Sequence, residues 1–310
     1  KIPQYARGKT GLKLRQLQVG VEEEALEKES NQFKKARGFI ALAEKNKKSP
    51  DAYKYYYNAA LAFIKAGSIT EAIKAYQVVV AKYSKSKVAQ PSLLDMAKIS
   101  EKRLSFGQAI RYYSQFVVRY PKAKEAGGAA QKACNLTVAV APERAVSSCK
   151  KLEAYSKTAY LDSLEILIVS LYATRNYKLM NNVITSYLKY PELSPNQKIA
   201  AIYKKYVASG KRNSSAKALG NQILAIGRQG GKQVTGNALR YATEIIFNKV
   251  NPVISKYLRV KLQGLTVEKL QTSIDGKSNA LAQIEQQFSQ VLDTGDAYWG
   301  AAALYQVGIA

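Results

Sequence analysis

Few side chains in this sequence are of a type that does chemistry, and their spacing narrows what that chemistry can be. There is no histidine among the 310 residues, so the commonest general base and metal ligand is missing. The two cysteines, Cys134 and Cys149, are too few for a structural metal site. They can form a disulfide if helices bring them together, or remain two reduced core thiols. Gly227-Arg228-Gln229-Gly230-Gly231 is glycine-rich, but no strand precedes it and no Lys-Ser/Thr follows, so it reads as a loop between helices. No nucleophile elbow and no carboxylate pair within an apolar stretch is present. These features predict a non-enzyme with no cofactor and no metal.

The remaining reactive surface is charge. Lysine and arginine number 48 against 22 aspartates and glutamates, a formal charge of +26. A field of that size attracts polyanions: nucleic acid, anionic lipid, acidic protein or glycan. The alternative is a lysine-rich solvated surface. Tyrosine is plentiful, 22 residues against 7 phenylalanines. Tyr53, Tyr55, Tyr56 and Tyr57 point all round a helix, so some of them are expected to face outward.

The elements that must position these groups are legible from a repeat. Glu71-Ala72-Ile73-Lys74-Ala75-Tyr76 returns as Gln108-Ala109-Ile110-Arg111-Tyr112-Tyr113. Ala72 and Ala109, Tyr76 and Tyr113, Tyr83 and Tyr120 are each 37 residues apart. A fixed period in the thirties predicts stacked helical pairs. Composition agrees, with 47% hydrophobic residues and 8 prolines. No stretch of about 18 apolar residues predicts a transmembrane helix. Weaker echoes follow at Ala145, Leu179 and Ala216, and Tyr190-Pro191 echoes Tyr120-Pro121. Helical faces are expected at Leu26, Phe33, Phe39, Leu42 and Ala43, and at Leu164, Leu167, Ile168 and Leu171. Tyr177, Met180, Val183, Ile184 and Tyr187 form the partner face of the latter. Glu22-Glu23-Glu24 is placed near the start of a helix over Gly20–Asn46, where it would suit the macrodipole. Register is lost between Gly264 and Asp293, although a helix over Lys277–Leu292 stands out.

The sequence resembles the tetratricopeptide repeat family. Tyr56, Ala59, Ala60 and Phe63 fit a first helix and Ala72-x3-Tyr76 its second, with Ser84 where the family has proline. Leu93, Met96, Ala97 and Ala109-x3-Tyr113 followed by Pro121 fit the next copy, with Ser100 replacing an aromatic residue. The resemblance implies an all-α, right-handed α-α superhelix of about seven antiparallel helix pairs. Residues 1–19 are read as a basic arm or linker. Residues 20–310 are read as one solenoid: clear repeats over 51–126, degenerate ones over 127–264, and further helices over 265–310, cut within a repeat. In this register Cys134 and Cys149 fall on the two helices of one pair. A bridge there would indicate an oxidising compartment such as the periplasm, whereas two free thiols leave the cytosol open.

The resemblance also implies a groove lined by first helices. It would present Lys54, Tyr57, Asn58 and Lys65 from one repeat, Lys98 and Lys102 from the next, and Lys205 further on. Lysine and asparagine there resemble the clamp by which some members grip a peptide carboxylate. Phe116-Val-Val-Arg-Tyr120-Pro121 is similar to repeats of periplasmic TolA-binding and outer-membrane-assembly lipoproteins. Tyr298-Trp299-Gly-Ala-Ala-Ala-Leu304-Tyr305 is similar to large gliding-motility proteins. The expectation is a protein-binding scaffold of a bacterial envelope assembly, periplasmic or outer-membrane-associated. The rival is a basic solenoid that binds nucleic acid or an anionic glycan directly, although no nucleic-acid motif accompanies the tyrosines.

Overall fold

The structure, a computed structural model, describes residues 9–211 and 213–310. Every regular element among the described residues is helical. The chain divides into two compact units, Lys1–Ser163 and Leu164–Ala310. The first holds α1 (Lys9–Lys28), α2 (Gln32–Lys45), α3 (Ala52–Lys65), α4 (Ile69–Lys82), α5 (Ala89–Lys102), α6 (Phe106–Arg119), α7 (Ala126–Val140) and α8 (Ala145–Lys150). The division falls inside α9 (Lys157–Ala173). The second unit continues with α10 (Tyr177–Tyr187), α11 (Pro195–Ala208), α12 (Ser214–Gly230), α13 (Gly236–Val250), α14 (Pro252–Tyr257), α15 (Val267–Leu292) and α16 (Ala297–Gly308).

The repeat maps onto hairpins. α3 pairs with α4 and α5 with α6, and α4 packs on α5 to join the two pairs. Alanines stand at the crossings: Ala59, Ala60, Ala72, Ala97 and Ala109 have no exposed surface. A methyl there lets two backbones approach, and Tyr76 and Tyr113 fill the space between pairs. The hairpin turns repeat as well. Ser68 N–H donates to Phe63 O at 2.9 Å, Ser105 N–H to Ser100 O at 2.9 Å, and Asn176 N–H to Leu171 O at 2.9 Å. Each turn needs a left-handed residue before that donor. Gly67 supplies it at φ 75°, but Leu104 and Arg175 are held there at φ 58° and 57°, where a Cβ is strained.

Three expectations change. The segment read as an arm up to Val19 is helical from Lys9 onward; residues 1–8 of that arm lie outside the described residues. Helix α1 ends at Lys28, and Asn31 caps a separate α2 by accepting from Lys34 N–H. Glu22-Glu23-Glu24 therefore lies in the last turns of α1, not at a helix start. Its charges are met locally: Glu22 pairs with Lys45 at 2.5 Å and Glu24 with Lys28 at 2.6 Å. Phe33 is 44% exposed and lies at the edge of the face that Phe39, Leu42 and Ala43 form, its ring meeting the buried Phe63 edge-on at 5.8 Å. Gly38 lets α1 close on α2, because a Cβ there would stand 2.1 Å from the Leu26 side chain.

The lost register near residue 264 has a physical cause. α14 is only six residues long, an irregular stretch follows, and α15 then runs for 26 residues. Only Ile284, Phe288 and Val291 of α15 are buried. Its first half packs on little, so no core stripe marks it in the sequence. At its end Val291 is buried, while Leu292, the last residue of the expected helix, is 40% exposed.

Candidate functional site

Two first helices of the first unit carry most of the expected groove. On α3, Lys54, Tyr57, Asn58, Leu61 and Lys65 follow helical spacing along one stripe. On α5 the stripe is Asp95, Lys98 and Lys102. Lys65, Lys98 and Lys102 are exposed, while Tyr57 and Asn58 are half-buried. Lys54 is committed to Asp51 at 2.9 Å. Lys65 and Lys102 have no hydrogen bond or ion pair among the described residues.

The structure brings Tyr57, Tyr76, Asp95 and Lys98 together. The rings of Tyr57 and Tyr76 lie 5.7 Å apart, and the Tyr76 hydroxyl donates to Asp95 Oδ2 at 3.3 Å. Burial pushes the Asp95 carboxyl above its usual range, against the pull of Lys98 and the Tyr76 hydroxyl. Asp95 stands 37 residues after Asn58, at the same place in the next repeat. An acceptor thus occupies the position where a carboxylate-gripping clamp needs a donor. Applying the period to Asn58 reveals this residue; Leu61, exposed in mid-stripe, has no such signal.

Lys205 belongs to the second unit. Its ammonium approaches Thr185 Oγ1 at 3.4 Å, and it lines a cleft of about 520 Å³ with Tyr177, Asn181, Ser209 and Asn213. Asn181 Oδ1 is buried there without a hydrogen-bond partner among the described residues.

The tyrosine surplus has a structural role that the sequence did not reveal. Tyr55 donates to Glu23, Tyr56 to Glu44, Tyr76 to Asp95, Tyr113 to Glu101, Tyr187 to Glu165 and Tyr203 to Glu244. Each ring packs in or beside the core while its hydroxyl holds a carboxylate, often on a neighbouring helix, a task phenylalanine cannot perform. Burial, then the bonded carboxylate, pushes the hydroxyls of Tyr56, Tyr113 and Tyr203 far above the usual range. In the run over residues 53–57, Tyr55 and Tyr56 are buried and Tyr53 and Tyr57 half-buried. None faces fully outward, because α1 covers Tyr55 and Tyr83 covers Tyr53 and Tyr56.

Cys134 on α7 and Cys149 on α8 are joined by a disulfide with Cα atoms 4.5 Å apart. Both residues are fully buried. Among the described residues no group of acidic or sulfur side chains could hold a metal ion, and no helix is long and apolar enough to cross a membrane.

Residues 54–86, the α3–α4 hairpin, match the family model of the tetratricopeptide repeat. A similar solved structure is the crystal structure of a tetratricopeptide repeat protein from Parabacteroides merdae ATCC 43184. It shares 12% identity over 82% of this chain and 98% of that one, with a TM-score of 0.33. No curated protein matches.

Proposed function

We propose that this chain, a tetratricopeptide-repeat protein, is a non-catalytic scaffold that holds an acidic segment of a partner protein in a bacterial envelope assembly. The observation that carries the reading is the α3–α5 stripe. It sets Lys65 and Lys102, in the last turns of α3 and α5 and unpaired among the described residues, beyond the exposed Leu61 and the half-buried Tyr57 of α3. Cations at one end of an apolar, aromatic floor suit a segment whose apolar side chains are followed by carboxylates. Asp95 directs such a segment's carboxylates away from the Tyr76 end and towards Lys65 and Lys102. The buried disulfide supports an oxidising compartment, in keeping with the envelope.

The test is a benzophenone crosslinker installed at Leu61, with the captured segment sequenced and its affinity then measured. An acidic segment is expected, weakened about tenfold or more by Lys65→Glu with Lys102→Glu. Its affinity should also respond singly to alanine at Asn58 and Lys98. A steep fall with salt, indifferent to those variants and matched on a polyanion column, would instead assign the chain to nucleic acid or an anionic glycan.

A further inference from the structure

The second unit contains a cleft of about 910 Å³ between α12, α13 and the C-terminal half of α15. Three contacts fix its walls. A Cβ on Gly227 would stand 3.8 Å from the Ala242 Cβ. Thr243 Oγ1 donates to Thr294 Oγ1 at 3.0 Å. The rings of Phe247 and Phe288 lie 5.8 Å apart. Residues 243 and 247 thus face 294 and 288, so α13 and α15 run antiparallel. Leu224, Leu239, Ile246 and Val250 give the cleft an apolar floor. From Leu239 to Val250 it extends roughly 16 Å, at about 1.5 Å per helical residue.

Its two ends are cationic. Arg228 closes α12 and Lys232 lies in the turn to α13, both at the Leu239 end; Lys249 lies at the other, with the Gln287 amide nearby. None of the three cations has a hydrogen bond or ion pair among the described residues. Asp293 is the single carboxylate of the lining, so the rim keeps a positive surplus. The walls are mostly helical and offer no strand edge, so recognition comes from side chains rather than from an added strand.

We propose that this cleft docks a second short segment of a partner protein, with apolar side chains on the floor and carboxylates at both ends. Charge complementarity favours this occupant, since an apolar body flanked by two anionic ends matches an apolar floor between two cationic ends. An extended stretch of about five residues, at roughly 3.3 Å each, spans it. The inference rests on the scaffold reading but concerns a separate site, walled by α12, α13 and α15 rather than by α3 and α5.

The test uses the full chain and a fluorescein-labelled probe peptide, Glu-Glu-Leu-Ala-Leu-Leu-Glu-Glu, followed by fluorescence anisotropy. Two control peptides replace its leucines by serine or its glutamates by lysine. Only the probe should bind. Arg228→Glu with Lys249→Glu should weaken it about tenfold or more, and so should Ile246→Ser if circular dichroism shows it folded. Lys122→Glu with Lys124→Glu, the same charge change at exposed residues of the first unit, should change affinity less than about threefold, as expected of distant screened charges. Equal binding of the serine peptide, or equal effects of the two charge reversals, would overturn the proposal in favour of bulk attraction. Displacement of the probe by dodecyl phosphate at lower concentration than by unlabelled peptide would also overturn it, assigning the cleft to a small amphiphile. If the probe fails to bind while the Lys65 and Lys102 variants still control partner capture, the cleft proposal falls and the scaffold reading stands.

Discussion

Asp95 and Glu101 lie on the same helix and both accept from a tyrosine, yet they should titrate in opposite directions. Burial raises Asp95, and Lys98 with the Tyr76 hydroxyl only partly offsets it. A carboxyl raised on folding stabilises the fold when protonated, and that contribution is lost as pH rises through its folded pKa. Asp95→Asn should therefore be more stable than the parent at neutral pH, with the difference vanishing in acid. For Glu101 burial also pushes upward, but hydrogen bonds from Lys132 at 2.6 Å and Tyr113 at 2.7 Å outweigh it and hold the carboxyl below its usual range. Its contribution is present above the ordinary glutamate pKa and fades as pH falls through the folded value. Glu101→Gln should cost about 1 kcal/mol at neutral pH and less in acid. Urea unfolding of both variants across this range decides the matter; parallel pH profiles would contradict the assignment.

At the level of elements, the repeat shows where evolution left strain and where it added a staple. Leu104 holds the left-handed turn position that Gly67 fills one repeat earlier, and its side chain is 72% exposed. Leu104→Gly gives up little packing and relieves the Cβ clash. The clash, about 1–2 kcal/mol, is set against the entropy glycine adds to the unfolded chain. A rise in melting temperature is expected, whereas Gly67→Leu should lower it. The α7–α8 hairpin is closed differently. α8 has only six residues, too short to hold itself by helix propensity, and the disulfide closes a loop over a sequence separation of 15. Such a loop corresponds to about 3 kcal/mol. Denaturing thiol counts on protein isolated without reductant should find none free. Reduction, or paired Cys134→Ala and Cys149→Ala, should lower the melting temperature by several degrees.

For the whole molecule, the charge imbalance is read differently once partners are known. Six carboxylates accept from tyrosine hydroxyls, and Glu22, Glu24, Glu29, Asp51, Glu143, Glu153 and Asp296 pair with lysine or arginine. The small acidic population is thus largely engaged within the fold, while Lys65, Lys102, Arg228, Lys232 and Lys249 remain available for ligands. Raising salt should weaken capture by either proposed site modestly. A specific apolar contribution should survive that, because screening acts on exposed charges and not on burial.

The amino-acid sequence by itself determined the hairpin architecture, because alanine and tyrosine recurring at a 37-residue spacing mark the close crossings of stacked helical pairs. It also carried the pairing of Cys134 with Cys149 as one of two open readings, and the identity of the residues along α3. Tertiary structure alone decided which charges are free. Lys54 is tied to Asp51, Asp95 meets Tyr76, and Tyr56 meets Glu44 twelve residues earlier. None of these engagements alters a hydrophobic period. The α12–α13–α15 cleft was likewise invisible, since it depends on where α15 returns after a stretch with no core stripe. Periodicity records which face of a helix is buried; it does not record what a polar atom finds on the next helix.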